Sequence, residues 1–373
     1  MNNNKKNALI IAYNDLNNSG VPNLIYQIVN ALSDYYNFDI VSFGDNDFYY
    51  SKLKNDGVEN VNLLTFDRKP KENKLSRICW ELFFKHHYFF KKTKKILKNK
   101  HYEIVHSFKE TDSWSFLKAS AKMGVRKRIV HSTVVLTNTF KGILAKLKDR
   151  AHFLTNKYAT DFIGVSDHCC KIAFPGKSYT VLYNGYDENA FNFNCKNELK
   201  NDELVISQLA TYNSNKNQIF SLEVLYELKQ LYKNCTLKLI GKETEKGYLR
   251  KINDYVKMHN LEDNVQIIDG TYGVGRHFCT TTFTILPSIK EGAGITAIES
   301  QACGIKVFAS SNVTPEMNAG GTIYIDLEQG AKYWAEKIYE EFKNNGNQRT
   351  QFDLDKFSKD TFRVNIKKIY GII

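Results

Sequence analysis

The sequence predicts an α/β fold of two domains, each built around a parallel β-sheet, because of its length and two recurring patterns. Short apolar runs alternate with longer segments of helical periodicity along the chain of 373 residues, which is typical of β-α-β units. The runs are apolar at nearly every position, as in strands that are covered on both faces. At roughly 100–200 residues per domain, the length corresponds to two domains. We expect them to face a cleft at the carboxyl ends of the strands, where such sheets bind ligands.

The predicted strands form two sets along the chain. The first set comprises residues 8–13, 38–43, 61–66, 102–107, 126–132, 162–165 and 179–184, and the second comprises residues 204–209, 236–241, 265–269, 283–288, 305–310 and 322–326. Between most of these runs, apolar residues recur at spacings of three and four, as in PNLIYQIVNALSDYY, and this spacing predicts helices.

The domain boundary is predicted from a change in composition. Residues 187–202 are rich in Asn and in charged residues and lack strong periodicity, so we interpret them as a linker. It separates an N-terminal domain, residues 1–186, from a C-terminal domain, residues 203–352. Residues 353–373 predict a last helix that can cross back to the N-terminal domain.

Charge is unevenly spread along the chain. Residues 1–186 hold 29 Lys and Arg against 16 Asp and Glu, whereas the remainder is nearly neutral, and residues 68–100 alone carry +10 of the net +12. This imbalance predicts that one domain faces a polyanion or an anionic membrane surface. No run approaches the roughly 18 apolar residues that span a bilayer. The seven irregularly spaced cysteines predict reduced thiols in a cytoplasmic protein.

Residues 283–310 carry the pattern most indicative of chemistry. A buried strand ends at Pro287, a loop contains Glu291, and a helix that begins with small residues ends near Gly304. The unpaired N–H groups of such a helix start suit a phosphate, and Glu299 leans back toward the same end. Two carboxylates beside an anion site fit a ligand with both phosphates and hydroxyls, such as a nucleotide-sugar. The alternative is a glycine loop followed by a solvated helix glutamate.

The same residues form the frame PS-x-x-EG-x-G-I-x-x-x-E-x-x-A-CG. It resembles the signature of the retaining glycosyltransferases of family four, which have the GT-B fold of two Rossmann-like domains facing a cleft. The resemblance implies that Glu291 acts at the donor sugar and that Glu299 binds the nucleotide ribose. It also implies that the donor diphosphate meets the backbone amides of Gly292, Ala293, Gly294 and Ile295.

Weaker matches follow in the order of the family. Gly20, in the run Asn18-Ser19-Gly20-Val21-Pro22, is similar to the glycine that approaches the donor phosphates, and LYNGYDENAF resembles the passage into the second domain. Lys216 matches a phosphate-binding lysine. Thr211 stands where the family usually has an arginine, so one cation for the diphosphate is missing or comes from elsewhere.

Two histidines compete for one role. His131 ends the predicted strand in IVHS, where the family often has a histidine that faces the donor sugar, and the similar IVHS at 104–107 contains His106. The order of the motifs favours His131 as the catalytic residue. A lone histidine at a strand end is otherwise more often structural.

The resemblance implies retaining transfer of a hexose or N-acetylhexosamine from a nucleotide-sugar, which we take to be a UDP-sugar, to a glycan or lipid-linked acceptor. The expected setting is cell-surface polysaccharide assembly. Lys216 and the backbone amides would stabilise the leaving diphosphate, while Glu291 orients the donor and need not be a nucleophile. No DxD motif in a loop and no metal-ligand spacing is visible, so we expect neither a metal nor another cofactor.

The acceptor is expected to meet the basic N-terminal half. Residues 77–100 interleave aromatic and basic side chains and can form an amphipathic helix on an anionic membrane, which predicts a peripheral protein at the inner face of the cell membrane. An ordinary packed helix with solvated lysines and a single-stranded nucleic-acid site are the alternatives. The alternative for the whole chain is a non-catalytic protein on the same fold that binds anionic surfaces or nucleic acid, although we expect no nucleic-acid partner. An epimerase on this fold is disfavoured by the glutamate pair.

Overall fold

The fold is seen in a computed structural model of the chain. The structure describes residues 5–12, 15–17, 19–66, 80, 84–108, 112–133, 142–193, 198–200, 202–270 and 273–373. The chain divides into two compact units, of which the first comprises Met1–Tyr183 with Phe362–Ile373 and the second Asn184–Thr361. No helix in the described ranges is long and apolar enough to cross a membrane.

Strands form at each of the predicted positions. The first unit contains β1 (Lys6–Ile11), β2 (Tyr36–Ser42), β3 (Val61–Thr65), β4 (Ile104–Phe108), β5 (Lys127–Ser132), β6 (Asp161–Gly164) and β7 (Thr180–Val181). The second contains β8 (Leu204–Leu209), β9 (Cys235–Gly241), β10 (Val265–Asp269), β11 (Phe283–Leu286), β12 (Val307–Ser310) and β13 (Thr322–Ile325).

Helices connect most successive strands. They are α1 (Gly20–Leu32), α2 (Phe48–Asn55), α3 (Lys85–Asn99), α4 (Trp114–Lys122), α5 (Ile143–Tyr158), α6 (Asp167–Ala173), α7 (Gln218–Leu231), α8 (Tyr248–Met258), α9 (Ile295–Ala302), α10 (Gly330–Asn345) and α11 (Lys359–Tyr370). Short 3-10 turns such as Glu262–Asn264 complete several connections.

Both sheets are parallel and have the same kind of strand order. The first runs β3-β2-β1-β4-β5-β6-β7 and the second β10-β9-β8-β11-β12-β13. In each sheet the order reverses beside the first strand, between β1 and β4 or between β8 and β11. Parallel sheets bind ligands outside the carboxyl ends of the strands at such a switch point. The prediction of two parallel-sheet α/β domains is confirmed.

The continuous apolar runs form strands because both faces of each sheet are covered. Leu9, Ile10 and Ile11 on β1 are fully buried, although successive side chains of a strand point to opposite faces. In the second unit, α10 buries Trp334, whose indole nitrogen donates to the Asp326 carbonyl at 3.1 Å. Each unit therefore has its own core.

The segment predicted as a linker packs within the second unit where the structure describes it. The division between the units falls at Tyr183–Asn184, and Phe191 is buried with its ring 5.5 Å from that of Phe278. The polar composition of residues 187–202 hides this aromatic anchor. At the other end of the chain, α11 buries Ile366 against the first unit.

The cysteines differ in part from the expectation of reduced thiols. Cys169, Cys170, Cys235 and Cys303 are buried and form no disulfide, whereas Cys279 is disulfide-bonded. The expectation is therefore wrong at Cys279. Irregular spacing along a chain carries no information on which cysteines meet in space.

Candidate active site

Two loops meet at the switch point of the second sheet. Residues 210–217 follow β8, and residues 287–294 follow β11. The backbone N–H of Ile289 donates to the Asn215 carbonyl at 2.9 Å, and the Asn215 side-chain amide donates to the Lys290 carbonyl at 2.9 Å. Each loop donates one of these hydrogen bonds to the other, so the two loops lie side by side and their side chains can meet.

The two loops bring Lys216 and Glu291 together in an ion pair. The Lys216 ammonium donates to Oε2 of Glu291, and the Ser288 hydroxyl donates to the same oxygen at 3.2 Å. The two paired side chains are 26% and 15% exposed, so the contact is only partly screened by water. The sequence predicts a phosphate contact for the lysine and a sugar contact for the glutamate, and the structure places both within reach of one ligand.

The backbone around Lys216 is held by hydrogen bonds. Its N–H donates to Oδ1 of Asn213 at 3.1 Å, and its carbonyl accepts from the buried Gln208 amide at 2.6 Å. Asn217, the next residue, has a φ of 56° immediately before α7. These contacts determine where the lysine side chain leaves the loop.

Gly294 precedes α9 in a conformation that favours glycine. Its φ is 65°, and a Cβ atom there would lie 3.0 Å from Cγ1 of Val313 and 3.3 Å from Cγ of Glu291. The Thr296 hydroxyl donates to the Leu209 carbonyl at 3.2 Å, which ties the start of α9 to the end of β8. The first N–H groups of a helix have no partners within it, so α9 begins at the switch point with donors for an anion.

Glu299 is a half-buried carboxyl group on α9. Burial, and to a lesser extent the nearby Asp187 carboxylate, raise its pKa to about 7, while no hydrogen bond from the described residues offsets the burial. A ligand hydroxyl that donates to Glu299 would therefore favour its ionised form.

The remaining predicted site residues belong to the first unit. Gly20 begins α1, which follows β1, and a Cβ atom there would contact nothing within 4 Å. The fold of this unit therefore does not itself require glycine at this position. Asn18, in the same predicted loop, lies outside the described residues.

His131 lies on β5 and is fully buried. Its Nδ1 is 3.1 Å from Nε2 of His106 on β4, so the two competing candidates are hydrogen-bonded neighbours. Burial lowers the pKa of His131 to about 3 and holds the pKa of His106 well below its usual range. Both imidazoles are therefore neutral at physiological pH.

Sequence reasoning missed the residues that connect the site. Ser288 and Asn215 lie in the motifs that were recognised, yet nothing in their spacing shows that one contacts Glu291 and the other bridges the loops. At the position of the absent arginine, the Thr211 hydroxyl accepts from the Asn213 amide at 3.0 Å. The described residues contain no group of three or more His, Cys, Asp or Glu that could hold a metal ion.

Part of the chain matches a known protein family. Residues 191–350 match the family described as Glycosyl transferases group 1. The chain is 27% identical over 139 residues to the putative glycosyltransferase EpsF of Bacillus subtilis (strain 168), a match that covers 37% of this chain and 35% of that protein. The matched segment thus spans about a third of that relative.

Solved structures resemble the chain over nearly its whole length. Anabaena HepE in complex with UDP-glucose has a TM-score of 0.78 at 14% identity, over 98% of this chain and 100% of that one. The lipopolysaccharide outer core galactosyltransferase WaaB has a TM-score of 0.70 at 14% identity, over 99% and 100% of the two chains. The strand orders and these matches together show that the chain has the GT-B fold, and that its residues 191–350 match the model of glycosyl transferases group 1.

Proposed function

We propose that the protein is a retaining glycosyltransferase that moves a hexose or N-acetylhexosamine from a UDP-sugar to a glycan or lipid-linked acceptor. The observation that carries this proposal is the meeting of Lys216 and Glu291 beside the start of α9. A cation, a row of backbone N–H donors and a carboxylate together match a ligand that offers phosphates and hydroxyls. In a site for an anion alone, the carboxylate would repel the ligand.

The reaction follows from the charges that develop during it. As the bond between the anomeric carbon and the diphosphate oxygen breaks, the sugar becomes positive and the diphosphate negative. Lys216 and the amides of residues 292–295 stabilise the leaving oxygen, and Glu291 orients the sugar. The acceptor hydroxyl attacks from the face that the diphosphate leaves, its proton passes to a diphosphate oxygen, and the configuration is retained.

The donor and acceptor classes are supported by the similar structures. HepE was solved with UDP-glucose, and WaaB is named as acting on the lipopolysaccharide outer core. Glu299, with its raised pKa, is suited to the ribose hydroxyls because hydrogen bonds from them stabilise its charge. We extend these features to a UDP-sugar donor and an acceptor of cell-surface polysaccharide assembly.

Membrane association at the cytoplasmic face is a second part of the proposal, and α3 carries it. Phe89 on this helix is buried and its ring is stacked on Phe116 with centroids 5.1 Å apart. Phe89 therefore packs in the core and does not face a membrane. The opposite side exposes Lys91, Lys92, Lys95 and Lys98, so docking depends on charge. Residues 67–79 and 81–83, which carry much of the basic stretch, lie outside the described residues.

A panel of labelled UDP-sugars tests the transferase proposal. We expect slow donor hydrolysis without acceptor, which continues in EDTA. Glu291→Gln should lower turnover by about 100-fold or more, because it removes a charge that acts in the transition state, and should leave UDP affinity equal or tighter, because Lys216 loses a competing partner. Lys216→Ala should lower the affinity of the protein for both UDP and the UDP-sugar.

Glu262→Gln is the matched control, because this exposed carboxylate precedes β10 at the opposite edge of the sheet. Absence of hydrolysis with every sugar, combined with salt-sensitive binding to any polyanion, would instead favour a non-catalytic anion-binding protein. Loss of activity in EDTA that Mg²⁺ or Mn²⁺ restores would overturn the assignment of the diphosphate to Lys216 and the amides.

A further inference from the structure

A chain of hydrogen bonds connects α11 to two neighbouring strands of the first sheet, β4 and β5. The Tyr370 hydroxyl, on α11, is 3.0 Å from Nδ1 of His106, and Nε2 of His106 is 3.1 Å from Nδ1 of His131. The two imidazole rings are within 7° of parallel with centroids 5.3 Å apart, as expected for an edge-to-edge contact between two nitrogens. All three side chains are buried.

Counting the hydrogens of this chain determines its direction. Each neutral imidazole carries one hydrogen, and the Tyr370 hydroxyl carries one more. When Tyr370 donates to His106, His106 donates onward to His131, and the hydrogen of His131 is on Nε2. In the reverse direction the Tyr370 hydrogen has no acceptor among the described residues and Nε2 of His131 is an acceptor without a donor, so two buried groups lack a partner instead of one, which is unfavourable.

The last nitrogen of the chain has no partner in the described structure. Nε2 of His131 is buried and forms no hydrogen bond there. In the favoured direction it is an N–H donor, so an oxygen atom of a ligand is the partner that would satisfy it. This count requires both histidines to be neutral, and their low pKa values support that. Burial lowers the pKa of each, and the neighbouring His131 and Lys127 lower the pKa of His106 further.

We propose that Tyr370 and His106 are positioning residues that hold His131 in the tautomer with its hydrogen on Nε2, as a donor to a substrate oxygen. The role in substrate binding rests on the proposed function, whereas the tautomer does not. The Tyr370 carbonyl also accepts from the Tyr36 hydroxyl at 3.2 Å, a contact that lies outside this chain of donors. The last helix of the chain thus controls a group on β5.

Long-range ¹H–¹⁵N spectra of the histidine rings, recorded on the full chain without donor, test the tautomer. His106→Gln and His131→Gln spectra assign the signals. We expect both histidines of the parent protein to carry hydrogen on Nε2. In Tyr370→Phe, which removes only the hydroxyl, signals of the Nδ1–H tautomer should appear for His106 and His131. A parent protein with the His131 hydrogen on Nδ1 would overturn the proposal whether or not the variants fold.

Tyr36→Phe is the matched control, because it removes one buried hydroxyl, on β2, that is hydrogen-bonded among the described residues only to the backbone carbonyl of Tyr370, and leaves the chain of donors intact. With a UDP-sugar that the parent hydrolyses, Tyr370→Phe should lower kcat about tenfold, the worth of one hydrogen bond, with the donor KM unchanged within about twofold. Tyr36→Phe should match the parent. Equal spectra and equal kcat in the two variants would overturn the proposal. Absence of hydrolysis in the parent would instead contradict the proposed function, since the spectra need no donor.

Discussion

Glu299 lies half-buried on α9, and its ionisation couples the stability of the second unit to pH. Its pKa in the folded protein is about 7, above the value of 4.5 for the free side chain. A carboxyl group with a raised pKa destabilises the folded state increasingly as pH rises from about 4.5 to about 7. Below that range the group is protonated in both states and has no such effect.

We therefore expect Glu299→Gln to stabilise the protein at pH 8, by up to about 3 kcal/mol at 1.36 kcal/mol per pKa unit. The gain should vanish at pH 4, where parent and variant carry the same charge at this position. Urea unfolding at both values of pH measures it. The same variant should bind UDP more weakly at pH 8, so tighter UDP binding would contradict the assignment of Glu299 to the ribose.

At the scale of single residues, sequence reasoning named candidate site residues but not their contacts. The spacing of Glu291 and Glu299 identified the frame, and Lys216 was found by its place in the order of motifs. That Lys216 contacts Glu291 was not predictable, because they are 75 positions apart and each was assigned to a different part of the ligand. His106 and His131 were treated as competitors because adjacency of β4 and β5 is a property of the sheet.

Among the elements, α1 and α9 both start at a glycine, but the fold requires glycine only at the start of α9. Gly20→Ala should leave the melting temperature unchanged, because a Cβ atom meets nothing within 4 Å. If the donor diphosphate approaches the backbone at this position, the same change should lower the affinity for a UDP-sugar about tenfold. Gly294→Ala should lower stability by about 1–2 kcal/mol, because its φ of 65° is unfavourable for alanine. Calorimetry of unfolding and of binding separates the two effects, and unchanged donor affinity in Gly20→Ala would remove Gly20 from the site.

The exposed side of α3 makes a separate prediction about anionic vesicles. Basic residues near such a surface contribute roughly 1 kcal/mol each to binding, so changing four lysines of α3 to Gln should lower vesicle binding at least tenfold. Added salt should weaken vesicle binding of the parent protein. The variant changes the exposed Lys91, Lys92, Lys95 and Lys98, and UDP affinity should stay unchanged.

A second quadruple variant with the same loss of charge is the control for α3. It changes exposed lysines of the second unit to Gln, namely Lys233, Lys246, Lys251 and Lys257. It should bind vesicles as the parent does. If both variants sediment with vesicles equally well, α3 is not a membrane dock, and the acceptor is better sought among soluble glycans.

The elements themselves were largely predictable, and the reason is physical. Strands buried on both faces leave a continuous apolar run in the sequence, which polar loops interrupt. The orientation of α3 was harder, because aromatic residues that pack in a core and aromatic residues that enter a membrane have the same helical spacing. Phe89 shows the difference only once its partner Phe116 is known.

For the whole molecule, the last helix determines which unit the end of the chain stabilises. Ile366 on α11 is fully buried, whereas Val364 on the same helix is 43% exposed. We expect Ile366→Ala to destabilise the first unit by about 2–5 kcal/mol and Val364→Ala to have little effect. Hydrogen exchange should then quicken in β1–β7 of Ile366→Ala and remain unchanged in β8–β13. Faster exchange confined to the second unit would contradict the packing of α11.

Sequence reasoning predicted two parallel-sheet domains and a returning helix, because patterns of burial are local. It had no means of showing that the hydroxyl of Tyr370 meets His106, since the two residues are 264 positions apart. Contacts of this kind depend on how separate elements pack, and a single sequence does not record that.

The ion pair of Lys216 and Glu291 bears on which molecules the site retains. A ligand that presents only phosphate draws Lys216 away and leaves a largely buried carboxylate without its counter-charge, which is costly. A ligand with phosphates and sugar hydroxyls satisfies both side chains at once. On the proposed function, the donor meets this condition and UDP alone does not. On that proposal, re-formation of the ion pair would hasten the departure of spent UDP, and a contact within the site would help to set the rate of repeated turnover.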